Sequence, residues 1–389
     1  MNWAYRYTVL ALCTLAFFAT MVARLSISPV VPDIVAAFSV SNGAVGLALS
    51  GMWAAYALAQ FPSGVLGDRF GERRVILTAV GGTVGTSVLL AGAPTFALFV
   101  VGTVVLGAVA GLHYSVATSL LARQFDAVGR AIGVHVAGGP LAGLLAPVAA
   151  AAVAARYGWR PAVAMGAAVA LPTALLVGRY VDRTAPQQPD RRMRDRFELG
   201  PLAELLSRPS IAYTTALSVL GAFTWQATAS FLPAFLEQGR GLDRTTAGLL
   251  FSAYFVVHGA TQPAMGSLSD RYSRDLAVGL AMGLGVVGYG LLVVGDRIEV
   301  LAAAVVLAGI AMSWGAPLQS RFMDLLSGAE RGAGFGLVRT VYMTVGATGS
   351  VAIGATADLL GWTAAFGLLV VTMSVGLVAV GAGSLLADV

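Results

Sequence analysis

Arg24 lies about 17 residues into an apolar run that extends from Tyr7 to Val31, roughly two helical turns before Pro32. An arginine in the hydrocarbon region of a bilayer costs at least about 2.5 kcal/mol on insertion scales, so it faces a cavity or a partner. Asp33, Glu237 and Asp358 stand near the ends of their apolar runs, and the other acids fall between runs, so no embedded carboxylate answers Arg24. A cation without an embedded acid favours an anionic solute, because guanidinium offers a two-pronged match to carboxylate, sulfonate, phosphate or nitrate. The alternative is an arginine that reaches the outer interface or a backbone carbonyl.

Other polar residues recur at matched places. Ser50, Tyr56 and Gln60 are followed, 202 residues later, by Ser252, His258 and Gln262. Each glutamine amide has two donors and an acceptor to satisfy, which suits either contacts to a solute or an interhelical hydrogen bond. Trp53 and Trp225 add aromatic walls or plain packing. His113, His135 and His258 are the residues in apolar runs most easily protonated near neutral pH, so each is either a proton carrier or a hydrogen-bonded helix contact. His258 is favoured as carrier because its counterpart, Tyr56, is also polar. Enzymatic chemistry has no footing: no paired carboxylates or nucleophile and base converge in a run, and Gly81-Gly82-Thr83-Val84-Gly85 lacks the lysine and strand context of a phosphate loop. No Cys and His cluster offers a metal site, the single cysteine, Cys13, has no disulfide partner, and no cofactor is expected.

The elements that carry these residues follow from composition. Of 389 residues, 57% are hydrophobic and 11% charged, against roughly 25% charged in a soluble domain. About 20 apolar residues cross a bilayer as helix. Twelve runs qualify: 7–31, 45–66, 75–91, 96–121, 132–155, 162–181, 213–236, 247–268, 276–294, 300–318, 335–359 and 364–386. The first is too long for a signal-peptide core and is expected to stay as an uncleaved helix. An all-α integral membrane protein is therefore expected, with a six-helix bundle over 1–182, an Arg-rich linker over 183–209 and a second bundle over 210–389. All 24 basic residues are arginines. Most lie in loops on one side if the N-terminus is inside, which places both termini in the cytoplasm and the protein in the plasma membrane. The net charge of +5 is spread over short loops rather than a folded basic face, which argues against nucleic acid as a partner.

The halves repeat. Gly64-Val-Leu-Gly-Asp68-Arg69-Phe-Gly returns as Gly266-Ser-Leu-Ser-Asp270-Arg271-Tyr-Ser, 202 residues on, and Gly158-Trp159 returns as Gly361-Trp362. Near-constant offsets at separate places indicate duplicated six-helix units, the plan of transporters that rock two bundles about a midplane site.

The run Gly64–Arg74, with its degenerate copy at Gly266–Arg274, resembles the signature loop of the major facilitator superfamily, and the resemblance covers essentially the whole chain. It implies twelve transmembrane helices in two pseudo-symmetric bundles and secondary transport by alternating access, as symporter or antiporter. Gly138-Gly139-Pro140-Leu-Ala-Gly143 is similar to a motif associated with antiporters of the superfamily, although glycine-rich helix packing gives the same letters. Thr103 stands where the superfamily often carries an arginine linked with proton coupling, ahead of Gly107 and Gly111.

Asp68 is expected to cap the positive N-terminus of a neighbouring helix in one access state. By the resemblance that neighbour is the eleventh helix, which carries Arg339, with Arg69, Arg73, Asp126 and Asp270 in the same gating set. Otherwise these charges serve only to hold the loops on one side. The reading is a transporter of a small anionic solute, an organic acid or oxyanion, with Arg24, Tyr56, Gln60, His113, Trp225, His258 and Gln262 at the solute site. The expected partners are that solute, a coupling proton and the lipid bilayer, with the chain acting as a monomer. The alternative is efflux of hydrophobic or cationic drugs.

Overall fold

The computed structural model describes residues 5–186, 204–327, 330 and 333–387, and among them it holds helices and no strand. In chain order these are α1 (Tyr5–Leu25), α2 (Val31–Phe38), α3 (Asn42–Phe70), α4 (Glu72–Ala91), α5 (Phe96–Gln124), α6 (Val128–Val136), α7 (Gly138–Tyr157) and α8 (Trp159–Tyr180). After them come α9 (Pro209–Ala234), α10 (Arg244–Arg271), α11 (Arg274–Val294), α12 (Ile298–Ala311), α13 (Gly315–Leu325), α14 (Ala333–Gly346), α15 (Thr348–Leu360) and α16 (Trp362–Ala387). Among the described residues, eleven continuous or interrupted segments are long and apolar enough to cross a membrane. The twelfth crossing is α10, a 28-residue helix whose average hydropathy is lowered by Ser252, His258, Thr261 and Gln262 together with the charges at its ends. The fold is that of a twelve-helix membrane protein.

The first crossing is not one straight helix over 7–31, as composition alone suggested. It stops at Leu25, passes through a single 3₁₀ turn at Ser28–Val30 and resumes as α2. Pro29 and Pro32 lack the backbone N–H that would continue the α-helical ladder, which explains the interruption. The fifth crossing breaks at Ala137 and the eleventh at Ala347.

Two compact units emerge. One comprises Met1–Phe38 with Gly51–Leu199, the other Ser39–Ser50 with Gly200–Val389. The first turns of α3 thus group with the second unit, a detail absent from a division at the central linker. Most of that linker, with Arg191, Arg192, Arg194 and Arg196, lies outside the described residues.

Within the first unit α4 packs on α5 and α8, and α1 on α7 and α8. Within the second, α11 packs on α12 and α16, and α9 on α14 and α15. Small residues set these distances, as expected where apolar lipid gives helices no hydrophobic reason to associate. A Cβ on Gly107 would collide with the carbonyl of Met52, and one on Gly111 with that of Tyr56, so α5 lies directly on the backbone of α3. At the matching place in the second unit a Cβ on Gly309 would come 2.9 Å from the Tyr254 carbonyl. Gly138 is pressed against α1, 2.7 Å from Thr14 O to its hypothetical Cβ, and Gly139 against the Phe17 ring. The Gly-Pro motif is therefore a packing surface for the first helix.

Candidate functional site

Arg24 belongs to the last turn of α1, where the helix breaks and where the C-terminal carbonyls favour a cation. It is 1% exposed, so it does not reach an outer interface. Its Nε donates to Thr20 O at 3.1 Å and one Nη meets the Met21 sulfur at 2.9 Å. The guanidinium stands 4.0 Å from the centroid of the Tyr56 ring and 5.2 Å from that of Trp53. Desolvated cation–π contacts of this kind contribute about 2 kcal/mol. The close approach of α5 to α3 at Gly107 and Gly111 fixes the backbone that presents both rings. Among the described residues no carboxylate pairs with Arg24, and its Nη1 is buried without a hydrogen-bond partner. The arrangement orients one edge of a guanidinium by carbonyl, sulfur and aromatic faces and leaves donors open for an acid group.

Gln60, one turn beyond Tyr56, is also buried, and its backbone carbonyl accepts the Ser115 hydroxyl at 3.0 Å. His113 is 0% exposed and its Nε2 lies 3.1 Å from Cys13 O. It packs beside His135, with ring centroids 5.4 Å apart and Phe17 against both.

In the second unit the Gln262 amide donates to His258 Nε2 at 2.8 Å, one turn away on α10. Ser313, which stands where the first unit has Gly111, reaches the same turn: its hydroxyl shares a 2.7 Å hydrogen bond with Thr261 and approaches the His258 carbonyl at 3.5 Å. Trp225 is half-buried with its ring edge on Phe255, 6.3 Å between centroids.

Sequence reading missed Gln226 beside Trp225. Its side chain is buried, its Nε2 donates to Met343 O at 2.9 Å, and its Oε1 has no hydrogen-bond partner. The run Thr224, Gln226, Thr228, Ser230 on α9 was the available signal. Thr228 bonds Tyr289 and Ser230 bonds Ser350, both at 2.7 Å.

Of the gating residues in the first unit, Asp68 is half-buried, while Arg69 is exposed with its guanidinium 5.4 Å from the Phe70 ring. Arg73 donates to the Gly178 carbonyl, and its backbone N–H to the Thr184 hydroxyl at 3.1 Å. Asp126 is exposed and makes no ion pair among the described residues, so it does not join a charge cluster with Arg73. The acid that does form an ion pair at this end is Glu72, which binds Arg123. Glu72 is buried by its place in the first turn of α4, hidden in sequence among loop charges. In the second unit Asp270 binds Arg274, which also reaches Asp324 at 3.0 Å. Glu72 and Arg123 thus correspond to Arg274 and Asp324, with the signs exchanged between the repeats. Arg339 is half-buried on α14.

A helical membrane bundle in two repeated halves, with a buried, partly unsatisfied cation beside broken helices, defines a secondary transporter rather than an enzyme. The chain belongs to the Major Facilitator Superfamily, whose model matches residues 13–244 and 214–386. It is 26% identical over 297 residues to the probable sulfoacetate transporter SauU of Cupriavidus necator, covering 72% of this chain and 68% of that one. Its fold is similar to that of a bacterial homolog of the human lysosomal transporter Spinster in an inward-facing, occupied conformation, with TM-score 0.85, 15% identity and coverage of 99% and 98% of the two chains. The human organic anion transporter MFSD10 gives TM-score 0.70 and 18% identity, with coverage of 97% and 100%.

Proposed function

We propose that this chain carries small organic anions bearing a carboxylate or sulfonate across the membrane by alternating access, with Arg24 as the anchor for the acid group. The observation that carries the reading is the fully buried guanidinium with an open Nη1. The likeness to a probable sulfoacetate transporter supports the same class of solute. Tyr56 and Trp53 orient the guanidinium, and Gln60, Gln262, His258 and Trp225 shape the solute site, with Gln226 added to them. Asp68, Arg69, Arg73, Asp270 and Arg339 serve the gating step, and Asp68→Asn is expected to change the accessibility of engineered cysteines.

The test is thermal stabilisation of the purified protein by sulfoacetate, acetate and methanesulfonate, compared with lipophilic cations. A ligand that binds the folded state raises apparent stability by mass action. Stabilisation by the anions, lost in Arg24→Ala, supports the proposal. Stabilisation by lipophilic cations that is indifferent to Arg24→Ala overturns it in favour of drug efflux.

A further inference from the structure

Gln226 follows Arg24 by 202 residues, the interval that also separates Tyr56 from His258 and Asp68 from Asp270. It is the second repeat's counterpart of the buried cation. Both side chains are hidden, Arg24 at 1% exposure and Gln226 at 0%. Each is tethered along one edge by a backbone carbonyl: Arg24 Nε donates to Thr20 O at 3.1 Å, and Gln226 Nε2 to Met343 O at 2.9 Å. Each then leaves one polar atom buried without a hydrogen-bond partner, Nη1 in the arginine and Oε1 in the glutamine. An unmade hydrogen bond at a buried atom costs folding free energy, and the same cost at repeat-related places argues for a shared role.

The orientation of the amide follows from its neighbour. Met343 O can only accept, so the donor end of Gln226 faces it and the acceptor end is the open one. The same carbonyl also accepts the Ala347 N–H at 3.0 Å, at the break between α14 and α15. A Cβ on Gly346 would come 2.6 Å from the Ala222 side chain and one on Gly349 2.3 Å from Phe223 O, so α9 lies against the broken crossing on both sides of the break. From α15 the Ser350 hydroxyl reaches Gln226 O at 3.4 Å. Side chain and backbone of Gln226 are thus both held, and Oε1 is kept in place without a protein partner.

The open atom selects what meets it. Arg24 Nη1 is a charged donor and takes an acceptor, whereas Gln226 Oε1 is a neutral acceptor and takes a donor. An ammonium group would need an acid beside it when desolvated, and among the described residues the fully buried polar side chains of the second unit carry no charge. A neutral O–H meets both conditions.

We propose that Gln226 is a specificity-determining residue that accepts a hydrogen bond from a hydroxyl of the transported anion, so that the solutes are short hydroxy acids, carboxylates or sulfonates, with the acid group anchored by Arg24. The inference deepens the anion reading of Arg24 and rests on it.

The experiment measures binding of matched anions to the purified full chain by isothermal titration calorimetry at neutral pH. Glycolate is compared with acetate, and 2-hydroxyethanesulfonate with ethanesulfonate, each pair differing by one hydroxyl. Fluoroacetate, close to glycolate in size but without the O–H, separates donation from shape. The hydroxylated member of each pair is expected to bind about fivefold to tenfold more tightly, the scale of one net hydrogen bond, and fluoroacetate to bind like acetate. In Gln226→Met, which keeps the length of the side chain without the amide, the two members of each pair should bind alike. Arg24→Ala should weaken both members of each pair. Equal affinity within both pairs in the unmodified protein overturns the hydroxyl reading and leaves the anion reading intact. Fluoroacetate binding as tightly as glycolate overturns donation to Oε1, and neither comparison depends on whether Gln226→Met folds. A preference that survives in folded Gln226→Met overturns the assignment to this residue. Absence of binding by all of these anions overturns the anion reading and this inference together.

Discussion

The carboxylate of Asp358, in the last turns of α15, accepts the backbone N–H of Gly43 at 2.6 Å. Its other oxygen accepts the backbone N–H of Asn42 at 3.0 Å and the Asn42 side-chain amide at 2.9 Å. An acid thereby satisfies the orphan donors and the positive end of α3. The device expected of Asp68 from its place in the signature loop is thus built, within the second unit, by a residue in the other half of the sequence. Two turns along the same contact the Ser50 hydroxyl donates to Ala347 O at 2.6 Å and accepts the Val351 N–H at 2.9 Å. It fills the i to i−4 hydrogen bond that the break of the eleventh crossing leaves open.

Asp358→Ala should free the start of α3. Loss of these bonds is expected to raise amide exchange at Asn42 and Gly43 by about threefold to tenfold, the equivalent of one net hydrogen bond at an exposed site. Ser50→Ala should raise exchange at Val351 in the same way. Unchanged protection in both variants, read by hydrogen exchange and mass spectrometry, would count against the contact.

The Glu72–Arg123 pair is asymmetric, since the Glu72 side chain is 2% exposed and that of Arg123 39%. Removing the arginine strands a buried carboxylate, whereas removing the acid leaves a cation that can turn to water. Arg123→Ala should therefore lower the unfolding temperature more than Glu72→Gln. The exchanged pair Glu72→Arg with Arg123→Asp, which copies Arg274 and Asp324, should recover part of the loss. Equal effects of the two single changes would show that the burial of Glu72 does not matter.

Gly107 and Gly309 occupy matching places but face different tolerances. The Cβ of alanine at 107 would overlap the Met52 carbonyl, while at 309 it would stand 2.9 Å from Tyr254 O. Gly107→Ala should displace α3 and with it the rings on Arg24, reducing anion-dependent stabilisation as well as folded yield. Gly309→Ala should be milder in both, as judged by size-exclusion profiles and thermal unfolding.

Outside the membrane-spanning segments, Glu330 accepts two hydrogen bonds from Arg208, at 2.6 and 3.2 Å, and two from Ser327. Arg208 first, then Ser327, holds its carboxyl down to about 2. A depressed carboxylate contributes stability that is complete above its unfolded value and is lost as pH falls toward the folded one. Acidification from about pH 5 to about pH 2 should therefore weaken this tie, and Glu330→Gln should remove that part of the pH dependence of thermal unfolding. A profile unaltered by the substitution would refute the role.

Much of the architecture was legible from residue order. Gly64–Arg74 and its copy at Gly266–Arg274 marked the repeat, because duplicated segments keep their spacing whatever their contacts. Arg24 stood out because a charge amid apolar residues is costly wherever its helix turns. The interruption after Leu25 was only half legible: Pro29 and Pro32 were visible, yet whether a proline ends, bends or merely starts a helix depends on what replaces the missing bond.

Partnership was not legible. Glu72 looked like one more loop charge and Asp126 like a member of its cluster, yet Glu72 is buried in the first turn of α4 against Arg123 while Asp126 stands exposed in the bend between α5 and α6. His113 and His135 are 22 residues apart on different helices, and their meeting depends on the break at Ala137 and on how closely Gly138 lets the fifth crossing approach α1. Asp358 and Gly43 are 315 residues apart. The sequence by itself determined the number of crossings, their repeat and the presence of a buried cation, because hydropathy and duplication are properties of the chain taken in order. The tertiary structure decided which side chains are satisfied and which are left open, because that depends on helix rotation and on backbone approach at single glycines, and neither has a one-dimensional signature.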